Sequence, residues 1–180
     1  VEGAFNNSGT ISALNNAAVL APVAVAVEVG GNVKSLANSG TISGTSGILM
    51  GGSVSGAVTN SGTITAIAPA SNLQTGAAEL QEEVVPDPIG LGVAGSIEGD
   101  LTNSGSITAT GGVAVQVDGN TKSIANSGAI SGNAGIQVGG GVTGDLTNTN
   151  TITATVADGV HVVGAVTGAI TNSGDITAAD

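Results

Sequence analysis

Cysteine is absent from this chain, so neither a disulfide nor a thiolate metal site can form. That absence suits secreted bacterial proteins and cytosolic ones equally and leaves the compartment open. Arginine is absent too, and Lys34 and Lys122 are the only basic side chains against 13 acidic ones. A formal charge of −11 repels nucleic-acid phosphates and anionic membrane surfaces, so neither is an expected partner. Aromatics amount to Phe5 alone. A core must then be assembled from Val, Ile, Leu and Ala, which suit thin, regular layers better than one thick interior. The longest apolar stretch, residues 17–27, contains Pro22 and is shorter than the ~20 residues a spanning helix needs. No positively charged leader follows Val1, so any signal peptide has been removed or lies outside this sequence.

What the chain has in excess is glycine, 31 of 180 residues, and repetition. The string Asn-Ser-Gly-x-Ile begins at Asn7, Asn38, Asn60, Asn103, Asn126 and Asn172, with a variant, Asn-Thr-Asn-Thr-Ile, at Asn148. The intervals are 31, 22, 43, 23, 22 and 24 residues. Four of them cluster at 22–24, and the two long ones read as the same unit carrying insertions near residues 14–21 and 68–88. Two residues before each Asn stand Phe5, Leu36, Val58, Leu101, Ile124, Leu146 and Ile170. Four residues after it stand Ile11, Ile42, Ile64, Ile107, Ile130, Ile152 and Ile176. A third segment of each unit alternates in the manner of Gly135-Ile136-Gln137-Val138 and Gly159-Val160-His161-Val162. Each unit therefore offers three short strands separated by Gly- and Asn-rich corners. Residues 5–66 and 101–154 repeat the same order of units, with Gly31-Asn32-Val33-Lys34-Ser35 matching Gly119-Asn120-Thr121-Lys122-Ser123. A larger block has been duplicated.

A unit of 22 residues cannot bury its own apolar side chains, but copies stacked at ~4.8 Å per coil can line one continuous interior. The expected fold is all-β: a single parallel β-helix over residues 1–180, with about seven coils and a length on the order of 35 Å. The two apolar columns become aliphatic stacks. At the corners, Gly is expected to take positive φ and Asn the left-handed region, while each Asn amide bonds the Asn above and below.

Units such as Gly99-Asp100-Leu101-Thr102-Asn103-Ser104-Gly105-Ser106-Ile107-Thr108-Ala109 resemble the passenger repeats of large bacterial autotransporter proteins. The resemblance covers nearly the whole chain and implies a right-handed parallel β-helix displayed at the cell surface. Passengers include adhesins, proteases and inert stalks, so it implies architecture more than activity. The translocator barrel of such proteins is not matched, aromatics being too few for its girdles.

Four features bear on function. The residues flanking each buried Ile form Thr/Ser pairs, Thr10/Ser12, Thr41/Ser43, Thr63/Thr65, Ser106/Thr108 and Thr151/Thr153, interrupted at Ala129/Ser131 and Asp175/Thr177. Both members face outward by strand alternation, and such ladders resemble those of ice-binding solenoids, although Thr is also simply a good outward strand residue. The insertion near 68–88 carries Glu79, Glu82, Glu83 and Asp87, either a partner-facing loop or a tolerated solvated one. Its spacing matches no calcium loop. The excess apolar residues of the smaller insertion around Asn15 to Ala21, followed by Val23-Ala24-Val25-Ala26-Val27, would form a lateral contact with another chain or pack over the coil as a local cap. His161 is expected to point outward without ligand partners, and Lys34 and Lys122 to pair with nearby carboxylates.

Catalysis on a β-helix needs clustered carboxylates, or carboxylates with Arg or Lys, and the acids here are spread mostly one per coil. Neither a polysaccharide-acting enzyme nor a cofactor is expected. The expected role is structural and extracellular: a stalk, adhesin segment or self-assembling fibre subunit whose partner is itself or a neighbouring surface molecule. Neither end offers a capping helix or charged edge strand, so the sequence is either a slice of a longer solenoid or a unit whose copies stack end to end.

Overall fold

The computed structural model describes residues 3–13, 24–68 and 87–179. Every described element is a β-strand and every pairing between strands is parallel. The chain winds as a β-solenoid of about six turns, so that seven rungs stack in the first sheet. The expected seven coils correspond to these seven rungs.

Each rung contributes up to three strand segments, one per face. The first face stacks Ala4–Asn7, Ser35–Asn38, Val58–Asn60, Ile97–Asn103, Thr121–Asn126, Leu146–Asn148 and Ile170–Asn172 in chain order. The second begins with Thr10–Ser12, Thr41–Gly44 and Thr63–Ile67 and ends with Asp175–Thr177. The third includes Val25–Val29, Ser46–Met50, Ile89–Val93 and Val160–Val162. In the fourth and fifth rungs the second and third segments run on as single long strands, Ser106–Val117 and Ala129–Val138. The segment Val25–Val29, within the apolar stretch expected to form a lateral contact or a cap, is instead the first strand of the third face. It pairs with Ser46–Met50, and Val27 is buried.

The register is set by identity. Phe5, Leu36, Val58, Leu101, Ile124, Leu146 and Ile170 align rung by rung, and the seven Ile residues from Ile11 to Ile176 do the same. Both columns are fully buried in the middle rungs; Phe5 and Ile11 are half-buried, while Ile170 and Ile176 are exposed. Side chains alternate across a strand, so a one-residue slip would turn each column out into water. Removing an Ile or Leu side chain from water is worth roughly 1.5–3 kcal/mol, and this repeats at each interior level. A further aliphatic column, Val33, Val54, Ile97, Val142 and Val166, closes the interior where the third face returns to the first; Thr121 occupies its fifth-rung place.

Candidate functional site

The chemistry of this molecule is axial, because each position recurs one rung away, and three axial features stand out. The first is the amide column. Asn7, Asn38, Asn60, Asn103 and Asn126 each donate from Nδ2 to Oδ1 of the Asn one rung on, at 2.7–2.8 Å, and Asn148 donates to Asn172 at 2.8 Å. Every bond points the same way along the axis. Each amide also reaches the carbonyl two residues ahead in its own rung, as Asn103 does to Gly105 at 3.4 Å. Buried amides bonded on this scale fix the rung spacing, since an orphaned one would cost about 1–3 kcal/mol.

Next to this column the structure corrects the expected role of glycine. Only Gly111 has positive φ among the described glycines, at 89°. The corner glycines are needed for close approach: a Cβ on Gly40, Gly62, Gly105 or Gly128 would collide with the carbonyl oxygen of the glycine one rung before it. In the sixth rung Asn150 takes the place, and the Asn148 amide to Asn150 carbonyl bond shortens to 2.7 Å. The corner hydroxyls add a stitch that the repeat pattern does not announce. Ser39, Ser61, Ser127 and Thr149 donate to the Asn carbonyl of the preceding rung at 3.3–3.5 Å.

A second polar ladder, also outside the expected columns, lies where the third face returns to the first. Ser53 N–H donates to Asn32 Oδ1 (2.9 Å), and Ser96 N–H to Ser53 Oγ (3.1 Å). Asn120 N–H donates to Ser96 Oγ (3.0 Å), and Gly141 N–H to Asn120 Oδ1 (2.8 Å). Its trace in the sequence is a short polar residue three places after Val29, Met50, Val93 and Val117, lost after Val138 and Val162, where Gly141 and Ala165 stand.

The third feature is the hydroxyl array of the second face. Ser12, Ser43, Thr65, Thr108, Ser131, Thr153 and Thr177 stand in register without interruption. The parallel column runs Thr10, Thr41, Thr63, Ser106, Ala129, Thr151, Asp175. Ser12 and Ser43 lie within hydrogen-bonding distance, Oγ to Oγ 3.1 Å.

Charged groups are few and solvated. Lys122 pairs with Asp100 at 3.3 Å, and Ser123 donates to the same carboxylate oxygen at 2.6 Å. The Ser123 bond first, and Lys122 second, hold the Asp100 carboxyl below the usual carboxylate range. These residues, with Asp145 and Thr147, line an open groove of about 400 Å³ on the first face. Lys34, the matching residue in the duplicated block, makes no ion pair among the described residues. His161 is exposed but not alone, its Nδ1 lying 2.9 Å from Asp158 Oδ2. Of the four acids in the long insertion, Asp87 is described and exposed, while Glu79, Glu82 and Glu83 lie outside the described residues. Among the described residues no three His, Asp or Glu side chains gather as metal ligands would, and no helix is long and apolar enough to cross a membrane.

No family model, curated protein or solved structure matches this chain. Its β-solenoid architecture therefore stands on the repeat and the strand register alone.

Proposed function

We propose that this chain is a structural solenoid outside the cell: a stalk, an adhesin segment or a self-assembling fibre subunit, without enzymatic activity. The observation that carries the reading is the continuity of its columns. Aliphatic and amide stacks pass through successive rungs in one register, so each rung presents to the next the surface it received. Such a stack is an extended scaffold by construction. The likeness of its Asn-Ser-Gly units to autotransporter passengers, together with its acidic surface, supports display at a bacterial cell surface. Its contacts are then with copies of itself or with neighbouring surface molecules. Electron microscopy of the purified chain tests the fibre form: long uniform filaments are expected, and isolated short rods would overturn it. Antibody labelling of intact producing cells tests the location.

The uninterrupted hydroxyl column from Ser12 to Thr177, beside a second column broken only at Ala129 and Asp175, favours one other reading: an ice-binding face. Strand geometry spaces these groups ~4.8 Å along the axis and roughly 6.6 Å across it, a flat two-dimensional grid. On this reading the chain shows thermal hysteresis that Thr63→Tyr and Thr151→Tyr abolish, and a chain without hysteresis excludes it.

A further inference from the structure

The unequal spacing of the repeats has one main structural source, and it sets one of the three corners apart from the other two. At the Asn corner, two residues separate the Asn from the next strand in each of the seven rungs. At the third-to-first corner, three residues always join the end of the third-face strand to the inner column, from residues 30–32 in the first rung to 163–165 in the sixth. The inner column then leads into the first face through two or three residues, a one-residue bulge. All larger variation falls at the second-to-third corner. One residue, Thr45, spans it in the second rung, and Asn133 alone in the fifth. Residues 110–112 span it in the fourth rung and 155–157 in the sixth. In the first, the chain leaves at Ala13 and returns at Val25; in the third, it leaves at Ala66 and returns at Ile89.

The physical reason is the placement of the ladders. The Asn corner is closed by the amide column and by glycines with no room for a Cβ, so an added residue there would break bonds to the rungs on both sides. The third-to-first corner carries the Asn32-to-Gly141 ladder, which needs its polar side chain at a fixed distance from the strand. Among the described residues the second-to-third corner carries local inter-rung bonds, Val156 and Ala157 N–H to the Asn133 carbonyl (3.1 and 2.8 Å) and Thr155 Oγ1 to Asn133 Oδ1 (3.2 Å), rather than a side-chain column running from rung to rung. Where the corner is wider its side chains turn outward, Ile67 being 55% exposed and Val156 67%, while Thr45 in the tightest corner is buried.

We propose that the second-to-third corner is the insertion-tolerant edge of this solenoid, the one line along its length where added residues are accepted while the other two corners hold the stack. Loop closure entropy grows slowly with length, so a loop confined to this edge changes stability little. The inference goes beyond the scaffold reading and does not depend on filament formation.

The test is a set of three variants of the whole chain, each carrying the same twelve-residue Gly/Ser insert. The first insert lies between the exposed Val156 and Ala157, the second between Ser127 and Gly128, and the third between Gly140 and Gly141. Circular dichroism and thermal unfolding are measured. The first variant is expected to keep the β spectrum with Tm lowered by no more than about 3–6 °C. The other two are expected to lose the cooperative transition or to melt well below it. An unfolded first variant, or full tolerance at either laddered corner, overturns the proposal.

Discussion

Thr121 is the sharpest place to test how the interior is held together. It is 1% exposed and stands in the column otherwise built from Val33, Val54, Ile97, Val142 and Val166, directly between Ile97 and Val142. Its Oγ1 is buried without a hydrogen-bond partner. A hydroxyl in that state loses its water without compensation, at a cost of about 1–3 kcal/mol. Thr121→Val keeps the branched shape, removes the orphan and adds a buried methyl group in its place. Val33, the matching residue of the duplicated block, shows that the position accepts valine. The expected gain is about 1–2 kcal/mol. In a chain of this length that raises Tm by roughly 2–8 °C. Thr121→Ser, which keeps the hydroxyl and opens a methyl-sized gap, should lose about 1 kcal/mol. Thermal and urea melts of the three proteins measure this, and amide exchange around Val142 reads the effect where it arises, because stability in a solenoid is largely a sum of neighbouring rungs. If Thr121→Val leaves Tm unchanged or lowers it, the hydroxyl has a partner and the reasoning is wrong.

Three further predictions follow from the ladders and the charges. Asn103 is fully buried and bonded on both sides, so Asn103→Ala is expected to cost about 2–4 kcal/mol by urea unfolding, well above a surface Asn. Gly105→Ala drives a Cβ into the Gly62 carbonyl and should cost about 1–3 kcal/mol, whereas Gly9→Ala, with open space around it, should stay within ~0.5 kcal/mol; equal effects at the two sites would refute the close-approach account. The Asp100 carboxyl is held down by Ser123 and Lys122, so its contribution is present above the ordinary carboxylate pKa and fades as pH falls through the lowered one. Since the pair is half exposed, Asp100→Asn should shift the neutral-pH Tm only slightly while flattening the acid end of the pH–Tm curve.

Much of the fold is legible in the sequence because a parallel stack copies its own pattern. Residues one period apart must share a level, so the spacing alone pairs Leu101 with Ile124 and Ile107 with Ile130. The Asn column is legible for the same reason. The purpose of the corner glycines is not: a string such as Asn-Ser-Gly suggests a turn needing positive φ, and only the separation of successive rungs reveals that the missing Cβ is what matters. The Asn32–Ser53–Ser96–Asn120 ladder is hidden because its members differ in residue type and meet through backbone N–H groups, which carry no side-chain signature. His161 and Asp158 come together because residues 155–157 bulge just before the strand, a local backbone path that the alternation of residues does not encode.

By itself, then, the sequence determined the coil: its period, its two apolar columns and its amide column all follow from recurrence at fixed spacing, and β-branched residues with Phe5 as the sole aromatic leave little else to build. The tertiary structure decided which corner is free. Spacing reports the total length of a rung and not where the extra residues sit, and only the register on either side of an insertion places them. Both long insertions and the smaller bulges fall on the one corner that no side-chain ladder crosses among the described residues, so that an added residue there disturbs only local bonds, such as those from Val156 and Ala157 N–H to the Asn133 carbonyl.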